Sequence, residues 1–264
     1  MKTKTMFYAT AATLAASLAS FNASAHDCDS LPSHAQLKAA LTSAVNAETS
    51  GLDMQMWGTI VDRDGTVCAV AFSGTTRGSQ WPGSRVISAQ KVNTANAFSL
   101  AAPAGIFPTG LALSTANLYS AVQPGGSLYG LQHSNPVDTE VAYRGNSDHY
   151  GAHNDPMVGK KIGGVNMFGG GLALYNASKQ IVGAVGVSGD TSCADHMIGW
   201  RVRNNLKLDY LAGIGGVSGD GARPDNIVYD ITANPAGGTG NSAGGFGHPT
   251  CILTGNQLAL PIVR

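Results

Sequence analysis

The chain has 264 residues, 16 basic and 16 acidic side chains, and a formal net charge of zero. Such a balance leaves no electrostatic footprint for nucleic acid or an anionic membrane surface. Charged residues make up only 12% of a chain that carries 35 glycines and 43% hydrophobic residues, which describes a globular, turn-rich protein rather than a disordered one.

Lys2 and Lys4 precede an uncharged, alanine-rich stretch from Met6 to Phe21, and Ala23-Ser24-Ala25 supplies a small-x-small cleavage site. Residues 1–25 therefore read as a secretory signal peptide, which predicts a periplasmic or secreted protein. No later segment approaches the roughly 20 apolar residues of a membrane span, so no membrane insertion is expected after cleavage. The remaining residues, 26–264, carry a net charge of −2 and are compatible with a single domain. All four cysteines lie there. An even number in an oxidising compartment favours disulfides, and of three connectivities the expected one is Cys28–Cys68 with Cys193–Cys251. No CxxC pair is present, which argues against a zinc cluster.

Ser33-His34-Ala35-Gln36 has the form of a capping box and opens a helix to about Thr49, with Leu37, Ala40, Leu41, Ala44 and Val45 on one face. Strands follow at Gln55–Val61 and Thr66–Phe72, joined by Asp62-Arg63-Asp64-Gly65, whose Asp-Gly is a hairpin signal. A second helix spans Arg85–Leu100. An irregular insert occupies about 103–162, with a short helix near Ala112–Val122, and is too long for an ordinary connection. Gly170–Tyr175 and Gln180–Val187 form a second hairpin around Asn176-Ala177-Ser178-Lys179. Ser192 then caps a helix to about Leu208, and a Gly-rich tail from about 211 to 264 closes with an expected edge strand at Gln257–Val263. Two hairpins require an antiparallel sheet and the amphipathic helices must cover it, so the fold class is α+β, an α/β/α sandwich.

Three stretches stand out: Trp57 to Gly65 at the first hairpin, Lys91-Val92-Asn93-Thr94-Ala95-Asn96-Ala97-Phe98 on the second helix, and Gly170-Gly171-Leu172-Ala173-Leu174 with Gly183 to Gly189 and Asp195. Together they resemble the GlcG/HbpS family of haem-binding or haem-degrading domains. The sequence departs from the family pattern at Leu172-Ala173, where a proline is usual, and at Val92, and it adds the insert and the tail. The resemblance implies a profilin-like antiparallel sheet covered by helices, assembly into homo-oligomers, and haem or a related tetrapyrrole as ligand. It implies slow haem degradation in some members.

The residues themselves bear on that expectation. The Val187-Ser188-Gly189 turn presents N–H groups before a helix start, which suits an anion such as a propionate or serves only as a tight turn. Lys91 and Thr94 share a helical face and would pair with a propionate and an iron-bound water, or pack in place; Phe98 would stack on the ring or fill the core. Gly170 and Gly171 belong to the same cofactor set through the resemblance. His196, after Asp195, is the best candidate metal ligand. His149 and His153 are four apart, but Gly151 and Pro156 favour a loop there. No GxSxG elbow or phosphate loop is present, so no catalytic residue is assigned. Three functions follow: an exported haem-binding or sensing protein, a haem-degrading enzyme using the bound iron, or a cofactor-free structural or interaction module.

Overall fold

The computed structural model describes residues 28–238 and 240–264; the expected signal peptide lies outside them. Ser33 begins α1 (His34–Asn46). Its hydroxyl accepts from the backbone of Gln36, whose side chain accepts from Ser33 in return, and the five expected apolar residues are buried. The first hairpin follows as β1 (Trp57–Asp62) and β2 (Val67–Phe72). Gly65 takes φ 80° in the turn, and Asp62 Oδ1 accepts from Asp64 and Thr66 N–H at 2.9 and 2.8 Å. A left-handed residue closed by an Asx side chain is what an Asp-Gly turn supplies.

Helix α2 runs Ser84–Phe98. In the insert, the expected helix near Ala112–Val122 is a 3₁₀ turn (Thr115–Leu118) continued by the single turn α3 (Tyr119–Val122). Two further single turns are α4 (Leu131–Ser134) and α5 (Thr139–Ala142). The second hairpin is β3 (Gly171–Tyr175) and β4 (Ile181–Ser188), followed by α6 (Ser192–Asn205). The cap of α6 is Thr191 rather than Ser192: the Thr191 side chain accepts from Ala194 N–H.

The sheet is antiparallel throughout, in the order β2-β1-β4-β3. The two hairpins thus join side by side through β1 and β4, in register from Trp57 opposite Ser188 to Asp62 opposite Gly183. Helices α1 and α6 pack on one face and α2 on the other, the expected α/β/α sandwich. Every residue of β1 is buried, because both faces are covered. Gly186 of β4 lies directly beneath the Ser88 carbonyl and the Val92 backbone, so a side chain there would push α2 off the sheet.

The insert lies over α2 and is held by a buried charge. Arg85 of α2 pairs with Asp155 through both carboxylate oxygens and donates to the Ala142 carbonyl at 2.7 Å. Ala142, Met157 and Ile162 of the insert join the core beneath. The tail wraps α6. Arg203 forms a fully buried pair with Asp225 at 2.6 and 2.9 Å, and the Trp200 indole donates to the Pro261 carbonyl. It contributes a two-residue ribbon, β5 (Ile231–Thr232) with β6 (Asn241–Ser242). The expected edge strand at 257–263 is not formed: Gln257–Ala259 is a 3₁₀ turn, and the residues after it join no sheet, their backbone bonding instead to Arg223, Trp200 and Ala222. Pro261 has no N–H to give to a ladder, which removes the strand its apolar neighbours signal.

The expected disulfides are the ones formed. Cys28–Cys68 ties the start of the described chain to β2 and Cys193–Cys251 ties the tail to the first turn of α6, with Cα separations of 5.3 and 6.0 Å. Among the described residues, no helix is long and apolar enough to cross a membrane.

Candidate functional site

A cavity of about 270 Å³ opens where α2, the end of β4 and the start of α6 converge. Lys91, one α-helical face of which Ser84 and Ile87 also form part, reaches into its floor from α2; Ser188 closes β4, and Ser192 and Asp195 come from α6. Larger hollows, of about 760, 780 and 430 Å³, lie along the outer face of α1, beside the Ser178-Lys179 turn and between α1 and the 148–153 segment. None is lined by a buried charge; the small cavity is.

Lys91 and Asp195 are both buried, and their Nζ and Oδ2 are 2.5 Å apart. Lys91 also faces the Val187 carbonyl at 3.3 Å and Ser188 Oγ at 3.5 Å. The other Asp195 oxygen, Oδ1, accepts the N–H groups of Gly189 and Asp190 at 3.0 and 2.9 Å. The turn expected to receive an external anion therefore already holds one, supplied by the chain. Burial lowers the Lys91 ammonium from its ordinary value and pushes the Asp195 carboxyl up to about 6, each shift offset by the other group's charge. Asp190 is also committed: its carboxylate accepts from Leu52 and Met54 N–H, pinning the chain before β1.

The remaining residues singled out in the sequence fall in separate places. Thr94 donates to the Gln90 carbonyl at 2.8 Å and accepts the Asn166 N–H at 3.0 Å, tying the segment between the insert and β3 to α2. Phe98 packs into a small cluster with Leu113, Leu118 and Met167. Gly171 passes under the Lys91 carbonyl and Gly170 holds φ 116°, so both serve the approach of backbone to backbone.

His196 is fully buried beneath the tail and does not line the cavity. Its Nε2 lies 3.1 Å from Asn226 Oδ1 and 3.2 Å from the Ile227 nitrogen, while Nδ1 has no partner. Burial lowers its pKa to about 4. His149 and His153 stand in an irregular segment, with His149 Nδ1 held by Asn154.

One arrangement beside the cavity gave no signal in the sequence. His248, from the tail, is 2% exposed and its Nε2 lies 2.7 Å from Ser192 Oγ. The two residues stand 56 positions apart with no motif around either. Burial also lowers His248 to about 4. Both histidines are thus neutral when folded and charge near 6.5 when unfolded. Each contributes stability that is present above that pH and lost as the pH falls from about 6.5 towards 4. In a ¹⁵N-resolved titration of the folded protein both imidazoles are expected to stay neutral at pH 5.5, with the His248 hydrogen on Nδ1; a half-titration of His248 near 6.5 would remove that assignment.

The chain matches the family described as haem degrading protein HbpS-like over residues 33–201. No curated protein matches. Among solved structures it is similar to the Klebsiella pneumoniae protein ORFY of family DUF336, with 23% identity over 65% of this chain and 86% of that one and a TM-score of 0.42. It is also similar to PduOC in its haem complex, with 22% identity over 65% of this chain and 89% of that one and a TM-score of 0.41. The matched span takes in the whole sheet, the insert and the Lys91–Asp195 pair, and stops inside α6 before the tail; over it, the chain belongs to the haem degrading protein HbpS-like family.

Proposed function

We propose that the protein binds haem, or a closely related tetrapyrrole, across the mouth of the α2–α6 cavity, and does so outside the cytoplasm. Family membership supplies the ligand class. The observation that carries the site is a pair of aromatic rings: Trp81 and Phe168 are 47% and 46% exposed and border the same cavity, with Ile87 between the polar floor and the rim. Half-exposed aromatics gathered at one opening are costly in water and favour a flat apolar partner. At about 270 Å³ the cavity falls just below the range of ligand sites, roughly 300–1,000 Å³, so the ring lies over the mouth rather than inside it.

The fit extends to the ring and stops at the iron. No histidine, methionine or cysteine lines the cavity, and its oxygen donors are Ser84, Ser188, Ser192, Asp190 and Asp195. Lys91 and the Gly189 N–H, expected as propionate partners, are committed to Asp195. The reading is therefore capture or sensing of the tetrapyrrole rather than turnover at an iron held by this chain. Export is supported by the two disulfides, which persist in oxidising compartments.

Titrating the purified protein with hemin and following the Soret band tests this. Saturable binding is expected, weakened about fivefold by Trp81→Ala and by Phe168→Ala, each ring contributing about 1 kcal/mol. His196→Ala is expected to leave the Soret maximum where it was. The absence of a saturable shift in the unmodified protein would overturn the proposal.

A further inference from the structure

His248 Nδ1 lies 2.7 Å from the carbonyl oxygen of Pro249. A carbonyl only accepts, so Nδ1 carries the hydrogen and Nε2 keeps its lone pair. The Ser192 hydroxyl, 2.7 Å from Nε2, therefore donates to it. Ser192 Oγ in turn accepts the Gly169 N–H at 2.7 Å, which fixes its position from the other side. Tyr119 packs on the imidazole with ring centres 4.8 Å apart. A serine aimed at a neutral imidazole whose second nitrogen is held by an acceptor is the arrangement that activates a serine nucleophile, with the Pro249 carbonyl here as the orienting group.

A capping role does not account for Ser192, because Thr191 supplies the α6 cap. Ser192 is half-buried and lines the cavity, while the imidazole behind it is buried. The hydroxyl is open to a ligand and its base is shielded from water. His248 also lies beyond the family match, in the tail.

We propose that Ser192 is a nucleophile with His248 as its general base, acting on small uncharged acyl esters that fit the cavity. The Trp81, Ile87 and Phe168 walls suit a short acyl chain, and a lining in which Asp195 already matches the Lys91 charge and Asp190 adds a carboxylate disfavours an anionic one. Ser192 Oγ bonds to the ester carbonyl carbon as its proton passes to Nε2. The carbon–oxygen bond to the alcohol then breaks and Nε2 returns the proton to the leaving oxygen. A water, giving a proton to Nε2, attacks the acyl-serine; the acyl–Oγ bond breaks, the carboxylic acid leaves and Oγ recovers its proton. No reactant beyond the ester and water is required.

The test is labelling of the full-length, disulfide-bonded, haem-free protein with a fluorophosphonate probe, read by intact mass and peptide mapping. One adduct on Ser192 is expected, with none in Ser192→Ala. His248→Gln is expected to slow labelling by about 100-fold, the loss of a general base. Should His248→Gln fail to fold, hydrolysis of p-nitrophenyl acetate by the unmodified protein decides: a burst of one equivalent that is absent in Ser192→Ala supports the pair. A folded protein that takes no adduct at Ser192 and shows no burst overturns it. Hemin binding, read at the Soret band, is scored separately, so either proposal can fail alone.

Discussion

Replacing both Cys193 and Cys251 by Ser is expected to lower the unfolding free energy by about 4 kcal/mol, since the bridge closes a loop of 58 residues and the chain-entropy model scales with the logarithm of that length. The folded state should change little. The tail keeps its other anchors on α6, namely the Arg203–Asp225 pair, the Trp200 bond to Pro261 and the Asn226 bond to His196. The loss therefore falls on the unfolded chain, which becomes free to expand, and the dependence of stability on urea should steepen as the midpoint drops. The Cys28–Cys68 bridge closes 40 residues and is expected to contribute nearly as much. Urea denaturation of the oxidised protein and of each double variant measures both. A loss under about 1 kcal/mol would mean that the native bridges are strained or that the unfolded chain stays compact.

The parts of this fold that were legible in the sequence are those whose signal is local. The Ser33–Gln36 box and the face from Leu37 to Val45 specify α1 without reference to anything distant. The Asp62–Gly65 and Asn176–Lys179 turns set both hairpins, the second through Asn176 Oδ1 accepting from Ser178 and Gln180. The tail is different. Its backbone finds partners in side chains and loops rather than in a periodic ladder: Arg223 donates to the Leu258 and Leu260 carbonyls, and Asn226 to that of Gln257. Such bonds leave no period to read.

The same distinction explains the site. Lys91 and Asp195 carry the residue types an anion site needs, and the sequence could not show that they satisfy each other across 104 positions. His196 reads as an available ligand until Asn226 and Ile227 close over it. Ser192 and His248 each look ordinary alone, and become a pair only when the folded tail packs against the start of α6, beside the Cys193–Cys251 bridge.

Truncating Asp195 to Ala is expected to cost about 3–5 kcal/mol, the penalty of leaving a buried ammonium unpaired. Lys91 is 1% exposed and has only the Val187 carbonyl and the Ser188 hydroxyl as further partners. Gly189 and Asp190 also lose the acceptor of their N–H groups. Removing the other partner is expected to cost less. In Lys91→Met the carboxyl, already pushed up to about 6, can escape its burial by taking up a proton, and its oxygens still accept both N–H groups. The sign of the pH dependence follows. Asp195 is already pushed up to about 6, and without the neighbouring cation it rises further, so the folded state of Lys91→Met binds a proton that the unfolded state, near 3.8, has released. That variant should be favoured relative to the parent at pH 5 and lose ground as the pH rises through the folded value. Asp195→Ala has no carboxyl to titrate and should show no such recovery. Combining Lys91→Met with Asp195→Asn is expected to restore most of the loss, because no charge then remains buried. Urea unfolding of the three variants at pH 5 and pH 8 separates these outcomes; equal costs for both single variants at both pH values would mean that water reaches the pair and that the cavity floor is charged rather than neutral.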